Sequence, residues 1–148
     1  MDEIDRMILN ILQMNNKTPF HKIAKQLKIG SSTVHYRIQK MVENGVIENF
    51  SAIVNPEKIG YKMTAIVGLS VDQRKIDKIA KKIASFEEAQ VVAETSGDHD
   101  LIVQVISKSQ EDLWRFIKKN IITINGVGKN YDVSIFLDVV KRTHIIEL

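Results

Sequence analysis

Between Lys17 and Gly45 the chain carries six cations, Lys17, Lys22, Lys25, Lys28, Arg37 and Lys40, before its first carboxylate, Glu43. The second half of this stretch predicts a helix whose buried side is Val34, Ile38, Met41 and Val42. At about 100° per residue the opposite side then holds Ser32, Tyr36 and Lys40, flanked by Thr33 and Gln39, with Arg37 nearer the edge. An ordinary solvated helix mixes both signs of charge. Hydroxyls, an amide, an aromatic ring and cations are instead the groups that bond base edges and phosphates in a major groove. Duplex DNA is the partner such a face implies.

A face of this kind needs a frame. Phe20, Ile23, Ala24 and Leu27 fall at helical spacing, so a first helix is expected after Thr18, with Pro19 at its first position. Lys28-Ile29-Gly30 interrupts the period, and Ser31 or Ser32 is expected to cap the next helix. The pair has helix-turn-helix spacing. Residues 2–15 predict a third helix, with the stripe Ile4, Ile8, Ile11 and Leu12, to complete a core that two helices alone are too small to build. Asn44-Gly45 should end the reading helix.

Val46 to Val54 then reads as a short connecting strand or wing, closed by Asn55-Pro56. The expected organisation is a helix-turn-helix unit over 1–54, a hinge over 55–60 and a second unit over 61–148. In that second unit Tyr61–Val71 alternates as a strand and 73–86 takes helical period, its lysines set among Asp72, Asp77, Glu87 and Glu88 as on a solvated face. Two strands follow, Ala89–Ser96 and Leu101–Ser107, joined through Gly97-Asp98-His99-Asp100. Ser109-x-x-Asp112 opens another helix, and Tyr131–Val140 makes the last strand. The fold class is thus α+β, a three-helix unit followed by a ferredoxin-like βαββαβ unit. Leu101–Ile106 is apolar on both sides, so the sheet face without helices should be covered by a second copy of the chain, making the second unit a homodimerisation module. The tail Lys141–Leu148 is expected to pair outside that sheet.

Composition narrows the classes. The chain is 148 residues long, 44% hydrophobic, with net charge +3 and no Cys, which excludes disulfides and thiolate zinc sites. No apolar run approaches the roughly 18 residues of a membrane span, and the start Met-Asp-Glu-Ile-Asp is unlike a signal peptide, so a cytoplasmic setting is expected. An enzyme would have to use Asp98, His99 and Asp100. Three adjacent residues on a tight turn rarely converge on one metal, and the other histidines are scattered, so neither catalytic residues nor metal ligands nor a cofactor are expected. A ferredoxin-like sensor whose helical unit binds RNA or protein is the alternative.

Taken in order, Asp2-x-x-Asp5 with Ile8-Leu9, Ile23-Ala24, Ser32-x-Val34-x-x-Arg37-Ile38, Gly45-Val46-Ile47, Asn55-Pro56, Gly60, Gly97-Asp98-His99-Asp100-Leu101, Gly126-Val127 and Lys141 resemble the Lrp/AsnC, or feast-or-famine, transcription regulators. The resemblance runs from about residue 2 to 148. It implies a DNA-binding regulator whose second domain dimerises, often assembles into octamers as a tetramer of dimers, and binds a small effector, usually an amino acid. By position it implies DNA contacts from Ser32, Thr33, Tyr36, Arg37 and Lys40, with Arg37 and Lys40 on phosphate, and an effector site of Gly97, Asp98, His99, Asp100, Tyr131 and Val133. In that site Asp98 or Asp100 would hold an ammonium and the amides around Gly97 a carboxylate. Lys28 stands where the family commonly has Gly, His99 where it often has Tyr, and Tyr131 and Val133 where Thr is frequent.

Overall fold

The computed structural model describes residues 1–148, which divide into Met1–Ile53 with Lys141–Leu148, and Val54–Val140. The first unit contains α1 (Glu3–Met14), α2 (Phe20–Leu27) and α3 (Ser31–Glu43). At the start of α1 the Asp2 carboxylate accepts from the Asp5 amide at 3.0 Å and the Asp5 carboxylate accepts from the Asp2 amide at 2.9 Å. This reciprocal cap satisfies two amides that a helix start leaves open. Pro19 holds the N-cap of α2 with ψ 140°, one place before its expected position. Neither Ser31 nor Ser32 caps α3. Gly30 does so by its carbonyl alone, which accepts from the Val34 amide at 3.1 Å, and both hydroxyls stay exposed.

Ile8, Leu9 and Leu12 of α1, Ile23 and Ala24 of α2, Val34, Ile38 and Met41 of α3, and Ile47 form one core. Val42, expected inside, is 45% exposed because it lies at the edge of the α3 stripe. Gly45, at φ 69°, ends α3 as anticipated and lets the Val46 and Ile47 amides turn back to the Met41 carbonyl. No strand forms over Val46–Val54. The residues have strand propensity but no run in the chain pairs with them, and Phe50, Ile53 and Val54 are exposed. The 55–60 stretch closes into a short 3-10 turn, Glu57–Ile59, ended by Gly60 at φ 95°. The tail Lys141–Leu148, numbered by sequence with the second unit but expected to pair outside its sheet, does so and belongs to the first unit. Gln13 on α1 donates to the Ile146 carbonyl at 2.8 Å and accepts from the Ile146 amide at 2.7 Å, and Asn10 donates to the Leu148 carbonyl.

The second unit runs β1 (Met63–Val71), α4 (Ile76–Ala84), β2 (Ala89–Glu94), β3 (Leu101–Ser107), α5 (Gln110–Phe116) and β4 (Val127–Ile135). Its sheet has the order β2-β3-β1-β4 and every neighbouring pair is antiparallel. Ala65, Val67, Leu69, Leu101, Val103 and Val105 alternate inward against Ile79 and Ile83 of α4 and Leu113, Phe116, Ile117 and Ile121 around α5. The Ser109 hydroxyl caps α5, accepting from the Asp112 amide at 3.1 Å, as the S-x-x-D pattern predicts. β4 starts earlier than expected, just after Gly126 at φ 103°, and stops at Ile135 because its partner β1 runs out at Met63.

Lys28 ends α2 at φ 55°, ψ 42°, the left-handed region, and is the one residue other than glycine at positive φ. The Lys28→Gly variant is expected to stabilise the helical unit by about 0.5–1 kcal/mol, the relieved Cβ strain less the greater freedom of unfolded Gly. A higher urea midpoint at unchanged slope would show this; a lower midpoint would contradict it.

Candidate functional site

Ser32, Thr33, Tyr36, Gln39 and Lys40 lie exposed along the outer side of α3, with Tyr36 60% exposed. Phe20 packs edge-on against His35 with ring centroids 5.8 Å apart, seating α2 on α3. Arg37 departs from expectation. Its Nη1 donates to Asp2 Oδ2 and to Asp5 Oδ1, each at 2.8 Å, and its side chain is 24% exposed. From the edge of the helix it reaches the α1 cap, so its charge is satisfied within the protein where a phosphate contact was anticipated. The Asp5 amide, and then Arg37, hold the Asp2 carboxyl below its usual value; the Asp5 and Asp2 carboxylates in turn raise Arg37.

Lys40 is also engaged. Its Nζ donates to Glu43 Oε2 at 2.9 Å, and Gln39 Nε2 donates to Glu43 Oε1 at 3.0 Å. Lys40, ahead of Gln39, lowers the Glu43 carboxyl, and Glu43 raises Lys40. Lys17, Lys22, Lys25 and Lys28 form no ion pair, so the free cations of this unit's DNA-type stretch sit on and beside α2. In a helix-turn-helix the first helix crosses the backbone, where such charges meet phosphates.

In the second unit the Gly97–Asp100 turn brings its side chains to different places. Asp100 Oδ2 accepts from the Val71 amide at 2.8 Å and Oδ1 from Gln73 Nε2 at 2.5 Å, so this carboxylate fastens the end of β1. Its assignment as an ammonium ligand gives way to that structural role. Asp98 and Gly97 are exposed. The His99 ring lies over Gly68 on the sheet face without helices. A Cβ at Gly68 would stand 2.3 Å from His99 Cδ2. His99 Nε2 is 3.2 Å from Asp132 Oδ2, while Nδ1 is buried with no partner. Asp98, His99 and Asp100 thus do not converge as an acid-base or metal set would.

Tyr131 and Val133 also lie elsewhere than expected. Both pack into the core beneath the helices. Gly68 faces Asp132 and Ile66 faces Ser134 across the β1–β4 ladder, so the residues sharing a face with His99 are Asp132 and Ser134. A one-residue error in parity exchanges the two faces of a strand. The sequence carries a signal for this in the alternation Asn130-Tyr131-Asp132-Val133-Ser134-Ile135, whose apolar members mark the core side.

The Gly68→Ala variant is expected to push His99 off Asp132 and cost about 1–3 kcal/mol through overpacking. Urea melts and the His99 ring resonances would report it, and unchanged resonances would contradict the packing. For the helical unit, Arg37→Ala and Asp5→Ala should each destabilise, and the double variant should cost less than their sum. The Asp2 contribution is fully present above the usual carboxylate value of 3.8 and is lost as pH falls through its lower folded value. The Asp2→Asn variant should therefore flatten the acid limb of a stability–pH curve.

A family model for winged helix-turn-helix DNA-binding matches residues 1–48, and one for the Lrp/AsnC ligand binding domain matches residues 64–146. The HTH-type transcriptional regulator FL11 of Pyrococcus abyssi is 43% identical over 144 residues, covering 97% of this chain and 91% of the relative. The solved AsnC of E. coli superposes with TM-score 0.90 at 25% identity, covering 98% of this chain and 97% of that one. A transcriptional regulator of Neisseria meningitidis, solved as its L-Met complex, superposes with TM-score 0.89 at 18% identity, covering 97% and 94%. Helix-turn-helix unit, sheet topology and end-to-end kinship agree, and the chain belongs to the Lrp/AsnC family of DNA-binding transcription regulators.

Proposed function

We propose that the protein binds duplex DNA by laying the outer side of α3 in the major groove while the α2 lysines rest on phosphates. Ser32, Thr33, Tyr36 and Gln39 face the bases, and Lys40 sits behind them. The observation that carries this reading is the division of labour between the helices: on α3, exposed hydrogen-bonding groups beside a Lys40–Glu43 pair that closes on itself, and on α2, unpaired Lys22 and Lys25. Arg37 holds α3 in place. The working unit is a homodimer formed through the sheet face that bears half-buried Ile66, Ile102 and Ile106, and dimers assemble further into a tetramer of dimers. The setting is cytoplasmic, and the protein acts as a regulator and not as an enzyme.

A small amino acid modulates DNA binding or assembly from the turn at Gly97. Exposed Asp98 is the carboxylate free to take an α-ammonium, and His99 with Asp132 forms the polar wall beside it. The L-Met complex of the Neisseria relative supports the ligand class and leaves the side chain open.

Anisotropy titrations of duplexes across a salt series test the DNA reading. Lys22→Ala and Lys25→Ala should weaken binding to every sequence and each reduce the salt slope by about 0.9 for each subunit engaged. Ser32→Ala and Tyr36→Ala should weaken the operator alone. Unchanged slopes, or a preference for single-stranded RNA over duplex, would favour the sensor alternative. Calorimetric titration of the proteinogenic amino acids should find a ligand whose binding is lost in Asp98→Ala.

A further inference from the structure

Glu43 sits in an unexpected place for a carboxylate. At about 100° per residue it lies about 20° from Ser32 around α3, and Gln39 about 20° to the other side, so both stand near the middle of the outer face. A bare anion there would repel phosphates. Glu43 is not bare: Oε1 accepts from Gln39 Nε2 at 3.0 Å and Oε2 from Lys40 Nζ at 2.9 Å. A carboxylate above its pKa can only accept, so the Gln39 edge turned toward it must be the NH2 and not the carbonyl. Lys40 occupies the second oxygen and keeps the carboxylate from rotating away. Its Nζ also lies 5.9 Å from the centroid of the Tyr36 ring, a second contact that holds the ammonium over the helix.

We propose that Glu43, braced by Lys40, is a specificity-determining residue that fixes the Gln39 amide for reading adenine. With one N–H committed to Glu43, Gln39 retains its carbonyl oxygen and its second N–H. Those two atoms match the adenine major-groove edge, whose N6 donates and N7 accepts. A Gln39 with both N–H groups free could instead turn its NH2 end onto the N7 and O6 acceptors of guanine as readily as it reads adenine. Glu43 therefore acts through Gln39 as a positioning residue, and its carboxylate makes no base contact itself. Lys40 spends its charge on this brace, which keeps that charge from gripping phosphate without regard to sequence. The inference rests on α3 being the reading helix.

Selection of bound duplexes from a randomised pool, read for wild type, Gln39→Ala, Glu43→Gln, Lys40→Gln and Lys40→Arg, tests it. Thermal melts confirm that each exposed-site variant is folded. The expected result is one adenine position in each half-site preferred roughly tenfold to hundredfold, the discrimination of a good bidentate pair. Gln39→Ala and Glu43→Gln should both relax that position and no other. Lys40→Gln should relax it in part, and Lys40→Arg, which keeps the brace, should restore it. An adenine preference lost in Gln39→Ala but intact in Glu43→Gln would overturn the positioning role and leave the α3 reading standing. A cytosine preference that disappears with Glu43→Gln would also overturn it, because the carboxylate would then be reading N4 directly. If Gln39→Ala, Ser32→Ala and Tyr36→Ala change no base position, the α3 reading itself fails.

Discussion

The Arg37 guanidinium meets one oxygen of Asp2 and one of Asp5, each at 2.8 Å, and the seating of α3 on α1 depends on those contacts. The apolar core beneath them, Ile8, Leu12, Ile23, Val34 and Ile38, is non-directional and would tolerate small rotations of α3 about its axis. A planar guanidinium between two oxygens tolerates far less. The same carboxylates cap α1, so one cluster of three side chains both starts the first helix and orients the third. The cation most exposed to naive expectation as a DNA contact is therefore the one that aims the rest of the face.

In the other unit the comparable constraint is the ladder between β1 and β4. It sets which side of β4 meets the helices and which meets His99, and Gly68 completes the arrangement by leaving room for the imidazole. Asp100 fixes the end of β1 from the neighbouring turn. The turn is thereby divided between Asp100, which holds the framework, and two residues whose side chains go elsewhere, Asp98 to solvent and His99 over Gly68.

Helices and topology were readable because their signals are local. Ile23 and Ala24 or Val34, Ile38 and Met41 announce a stripe within two turns, Ser109 and Asp112 announce a cap, and six elements in the order βαββαβ leave few topologies. What escaped was set by distant partners. Nothing within ten residues of Arg37 shows that two carboxylates at the head of α1 await it. The parity of Tyr131 and Val133 depends on pairing with a strand some sixty positions earlier, although their apolar alternation was a usable hint. Val46–Val54 has the composition of a strand and lacks a partner, and Gly30 displaced two serines that would each have made a better cap on composition alone.

The return of Lys141–Leu148 to α1 makes the sheet unit, in covalent terms, an insertion between two pieces of the helical one. Gln13 treats the Ile146 backbone as a strand would, giving and taking one hydrogen bond. A helical fragment cut after Ile53 would thus lack a segment that rests on its own first helix. A fluorophore or affinity handle attached at Leu148 would stand beside Asn10, reporting on the DNA-binding end of the chain although it is written after the last strand.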